Sequence, residues 1–105
     1  MTPKPSDEPR EFLCRYEFRV GKLSTPIRMC VRYSGVDGKL LIEQSHFIKT
    51  AIQYLPYAVK EFPGMDVAAS LNSLEQNIQG FYDQAVRRGY TPSESWLVPN
   101  SGFHE

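Results

Sequence analysis

Residues 11–20, EFLCRYEFRV, alternate along an extended chain. Phe12, Cys14, Tyr16, Phe18 and Val20 fall on one side, and Glu11, Leu13, Arg15, Glu17 and Arg19 on the other. A period of two rich in aromatic residues predicts a half-buried β-strand. After Gly21-Lys22-Leu23-Ser24-Thr25, a turn, the alternation returns over 26–34, with Ile27, Met29, Val31 and Tyr33 inward and Arg28, Cys30 and Arg32 outward. Asp37-Gly38 then gives a hairpin signal, because both residues tolerate positive φ. Turning there sets Leu40 and Ile42 on the Tyr33 face and Glu43 opposite Arg32. This agreement favours a third strand over the rival reading, a helix opening near Leu40.

From Ser45 the spacing changes. Phe47, Ala51, Tyr54, Ala58 and Phe62 make one helical stripe, and Ile48, Ile52, Leu55 and Val59 a second. The pattern predicts a helix from a Ser45 cap to about Phe62, apolar on two sides and kinked or broken at Pro56. Pro63-Gly64 ends it. A longer helix is predicted from an Asp66 cap to Arg88, with Gly89 beyond it as the C-terminal stop. Its seam is Val67, Leu71, Leu74, Ile78, Phe81 and Ala85, in alternating steps of four and three. An antiparallel hairpin with the preceding helix is the expected use of that seam, and a second copy or another chain the alternative. Gly80 costs that helix ~1 kcal/mol against Ala unless something packs closely on it.

The expected fold is therefore α+β: a three-stranded antiparallel meander followed by two helices packed on one sheet face, then an extended tail. Residues 1–10 read as a disordered arm, 11–89 as a single domain, and 90–105 as a C-terminal tail carrying Trp96, the only tryptophan. Pro3, Pro5 and Pro9 among charges, with no apolar run, exclude a secretory signal from the first ten residues, and a cytoplasmic address is expected. Cys14 and Cys30 fall on opposite faces of the predicted sheet, out of disulfide reach, and are expected to be reduced.

Composition narrows the function only broadly. The chain has 105 residues, 41% hydrophobic, and twelve basic side chains balance twelve acidic ones. This is a globular composition with no overall polyanion-binding charge. Residues 1–50 carry nine basic and six acidic side chains, and residues 51–105 carry three and six, so a basic sheet faces an acidic helical layer. No motif ties the sequence to a known family. Two cysteines and two histidines, one of them His104, give no zinc spacing, and no cofactor motif is present. Glu43, Ser45 and His46 are the best candidates for chemistry. Each has a plainer role, as cross-strand partner, helix cap and first-turn residue, so no catalytic residue is expected.

Two binding surfaces remain. Tyr54, Tyr57, Phe62, Tyr82, Val86 and Trp96 exceed what a two-layer domain this small easily covers, and large exposed apolar patches mark interaction sites. They point to a non-catalytic module, a homodimeric regulator that binds and inhibits another protein. By size and character it resembles bacterial anti-activators of transcription factors, or immunity and antitoxin proteins. Arg15, Arg19, Arg28 and Arg32 make an alternative face for an acidic ligand or nucleic acid. Tyr16 and Phe18, which could stack on bases, fall on the opposite side and weaken that alternative. A small enzyme ranks third.

Overall fold

The structure is a computed structural model that describes residues 10–103. The expected arm lies outside the described residues, except that Arg10 opens the first strand; His104 also lies outside them. The elements are β1 (Arg10–Phe18), β2 (Ile27–Ser34), β3 (Lys39–Gln44), β4 (His46–Ile48), β5 (Glu61–Pro63) and α1 (Val67–Arg87). A 3-10 turn (Glu94–Trp96) and β6 (Leu97–Pro99) follow. The fold is α+β. A four-stranded antiparallel sheet runs in the order β1-β2-β3-β5, and β4 and β6 form a second, two-stranded sheet.

The predicted meander forms with the expected parity. Tyr33 pairs with Leu40 and Val31 with Ile42, so the apolar sets share a face. Gly38 takes φ 64 and donates its N–H to the Ser34 carbonyl at 2.9 Å, closing the hairpin where Asp-Gly predicts it. Glu43 lies opposite Cys30 rather than Arg32, yet its Oε1 still accepts from Arg32 Nε at 3.3 Å across the diagonal. One parity changes. A bulge between Phe12 and Cys14 puts Leu13 out of register, so Phe12 pairs with Arg32 on the outer face. The inward position expected for Phe12 is thus corrected.

The helix expected over 45–62 does not form, and only one helix follows the meander. Ser45 is a bend, β4 pairs antiparallel with β6, and the chain then turns through 49–60 to β5. Burial ignores the helical stripe: Ile48 is sealed, while Leu55 and Val59 of the same stripe are exposed. Two physical causes act together. Pro56 can donate no N–H to Ile52 and disfavours helical φ/ψ at Leu55. A strand about fifty residues away supplies ladder bonds that local spacing cannot reveal. Gln53 then shapes the loop from within. Its Oε1 accepts from Thr50 N–H at 2.8 Å, and its Nε2 donates to the Ile48 carbonyl at 3.0 Å.

The second predicted helix is α1. Asp66 caps it, with Oδ1 accepting from Ala69 N–H at 2.9 Å, and Gly89 follows at φ 93. Its seam is buried through Leu71, Leu74, Ile78 and Ala85, joined by Tyr82. With no second helix present, that seam closes on the sheet, in one cluster with Ile27, Met29, Val31, Leu40, Ile42 and Ile48. Cys14 and Cys30 are both free, on opposite faces of the sheet. No helix among the described residues is long and apolar enough to cross a membrane.

Candidate functional site

The sheet has an inner face under α1 and an outer face. The register gives the outer face Phe12, Arg15, Glu17, Arg28, Cys30, Arg32, Ser34, Lys39, Leu41, Glu43, Glu61 and Pro63, since residues directly opposite on paired strands share a side. The bulge puts an aromatic group on its β1 side. Phe12 lies 46% exposed, with the Arg15 and Arg32 guanidinium carbons 5.1 and 5.6 Å from its ring centroid. Both distances are within cation–π range. The tail arrives on the same side. Asn100 N–H donates to the Ser45 carbonyl at 2.9 Å, and its Nδ2 to the Gln44 carbonyl at 2.8 Å. Phe103 then sits 5.6 Å from the Arg28 guanidinium carbon.

Two hollows open beside the tail. One, about 260 Å³, is lined by Arg15, Glu17, Arg28, Cys30 and Phe103. The other, about 330 Å³, is lined by Leu41, Glu43, Phe47, Lys60, Asn100 and Gly102. The charges of the face nearly cancel, Arg15, Arg28, Arg32 and Lys39 against Glu17, Glu43 and Glu61. Arginine and aromatic groups in a concave, nearly neutral setting have the chemistry of interface anchors.

Of the four arginines expected on one face, Arg15, Arg28 and Arg32 share it. Arg19 lies beyond β1 and donates through Nη1 to the Ser24 carbonyl at 3.2 Å, which serves the connecting loop. The six apolar candidates do not make one surface. Tyr82 and Trp96 are in the core, 6% exposed each, with ring centroids 5.7 Å apart. Tyr57 leans on Phe81, and its hydroxyl accepts from Asn77 Nδ2 at 2.9 Å. Phe62 is half-buried in β5 opposite Leu40, Val86 is exposed on α1, and Tyr54 projects from the loop at 98% exposure. Phe12 and Phe103 are the residues that sequence reasoning missed. Two aromatics near the chain ends carried no signal of their own without the bulge and the tail path.

Ser45 and His46 do touch. Ser45 Oγ accepts from Arg28 N–H at 2.8 Å and lies 2.9 Å from His46 Nδ1. Burial, and secondarily the Arg28 charge, hold the His46 pKa below its ordinary 6.5. Glu43, the third candidate, is committed to Arg32. The serine is 4% exposed and its hydroxyl ties β2 to the β3–β4 bend. Among the described residues no cluster of three His, Cys, Asp or Glu could hold a metal ion.

A polar clasp fixes the β1–β2 connection. Gly21 N–H donates to Gln79 Oε1 at 3.2 Å and Lys22 N–H to the Tyr82 hydroxyl at 3.1 Å. Ser24 and Thr25 N–H groups donate to the two Glu94 carboxylate oxygens at 2.9 and 3.0 Å. Those bonds, Ser24's backbone first, hold the Glu94 carboxyl below its usual pKa. Tyr16 donates its hydroxyl to Glu75. That bond, then burial and the Glu75 charge, raise the Tyr16 pKa.

Compared with models of protein families, with curated proteins and with solved structures, the chain matches none.

Proposed function

We propose that the chain is a non-catalytic protein-binding module, a small regulator that holds another protein against its outer sheet face. The observation that carries this reading is Phe12, exposed on the β1 side of that face beside two guanidinium groups. An aromatic and arginine anchor beside preformed hollows supplies large contact area with little side-chain ordering left to do. Near-neutral charge suits a folded protein surface better than a polyanion. Single-stranded nucleic acid is the second reading. It is favoured by Phe12 and Phe103, which give the arginine face aromatic groups that Tyr16 and Phe18 do not supply.

Affinity capture from the native host with the full chain tests both. A stoichiometric protein that Phe12→Ala weakens about tenfold or more, and Tyr54→Ala leaves unchanged, supports the module. Capture indifferent to Phe12→Ala refutes it. So does binding of single-stranded RNA or DNA that falls steeply with salt, which establishes the second reading.

A further inference from the structure

The two edges of the main sheet differ. β5 is three residues long and ends in Pro63, an edge poorly suited to extension. β1 is nine residues long, and among the described residues only β2 pairs with it. Phe12, Leu13 and Tyr16 are exposed along it.

Backbone directions on β1 follow from a bond elsewhere. Arg28 donates its N–H to Ser45 Oγ and accepts Ser45 N–H at its carbonyl, so both of its peptide groups point toward β3. Alternation along an antiparallel strand then turns Ile27, Met29 and Val31 toward β1, where Phe18, Tyr16 and Cys14 meet them. Arg15 and Glu17 consequently direct their N–H and C=O groups away from β2, to the open edge.

We infer that this edge pairs with β1 of a second copy, antiparallel about a two-fold axis at Tyr16. In that register Arg15 of one copy stands opposite Glu17 of the other, twice. Both residues have outward backbone groups, so each pair exchanges two hydrogen bonds, four in all. Their side chains share the outer face and pair with opposite charge. On the inner face Cys14 meets Phe18, and Tyr16 meets its own copy. The register one residue earlier sets Arg15 against Arg15 and is disfavoured. The self-complementarity lies in the sequence Arg15-Tyr16-Glu17 read against itself, as a two-fold interface requires. The outer face stays uncovered, and the result is a continuous eight-stranded sheet. Contact over five residues per strand is below the size of a standard interface, so micromolar association is expected.

Sedimentation equilibrium of the full chain from ~1 μM to ~1 mM tests the inference. A concentration-dependent dimer is expected. Arg15→Glu and Glu17→Arg each make both cross-pairs repulsive and should each raise the dimer dissociation constant about tenfold. An equimolar mixture of the two variants restores complementary pairs and should recover association, while circular dichroism confirms that each variant is folded. A monomer throughout the range overturns the inference. So does a mixture that associates no better than its components, or a dimer that appears only after residues 2–9 are deleted, which would assign the edge to the chain's own arm.

Discussion

Gly21→Ala tests the closest approach in the fold. Gly21 has φ 49, and a Cβ built there falls deep within van der Waals contact of the Tyr82 ring. A side chain in the left-handed region costs ~1–2 kcal/mol, and forcing an atom into packed space costs a further ~1–3. Reduced freedom of the unfolded chain returns ~0.4–1 kcal/mol. The net loss is about 3 kcal/mol, a large part of a typical domain's stability and about 10–20 °C in Tm. Gly38→Ala is the control, since Gly38 has φ 64 and nothing within 4 Å of the added atom. It should lose only ~1 kcal/mol. Urea unfolding followed by Trp96, the sole tryptophan, reads both variants. Trp96 also packs edge-on against Tyr82, so the Gly21 variant should shift its native emission as the ring is displaced. Equal losses in the two variants, with unchanged emission, would show that Tyr82 does not close over this turn.

Gly80 lies within α1 with open space where a Cβ would stand, so Gly80→Ala should stabilise by ~1 kcal/mol in the same urea assay. Acid should weaken the fold in two stages, read as denaturation midpoints against pH. Below about pH 6.5 the unfolded chain takes up a proton that folded His46 resists, so stability falls, and His46→Gln should flatten this stage. Glu94's contribution is fully present above the ordinary carboxylate range and is lost as pH falls through its depressed pKa, a stage that Glu94→Gln should remove.

What could be read in advance was whatever the chain decides locally. β2, β3 and their Asp-Gly turn follow from alternation and from positive φ at Gly38. α1 follows from its Asp66 cap and its seam. The failures share one cause, a partner distant in sequence. Residues 46–48 have helical spacing but are claimed by β6, and α1's seam finds a sheet where a helix was expected. The arginine face was legible as alternation in β1 and β2. Its aromatic group was not, because one unpaired residue at Leu13 reverses the side on which Phe12 emerges. Tyr82 and Trp96 looked surplus only while a second helix was counted among the groups needing cover. Without that helix, the sheet and α1 enclose them.

The clasp on the β1–β2 connection bears on how the protein is born. Its four backbone donors find acceptors 58 to 70 positions later in the chain, at Gln79, Tyr82 and Glu94. A ribosome delivering residues in order exposes the first hairpin well before it supplies the groups that latch it. Until Glu94 has emerged, that hairpin can be only a transient visitor, and its long open border is then most at risk of mispairing with a neighbouring nascent chain.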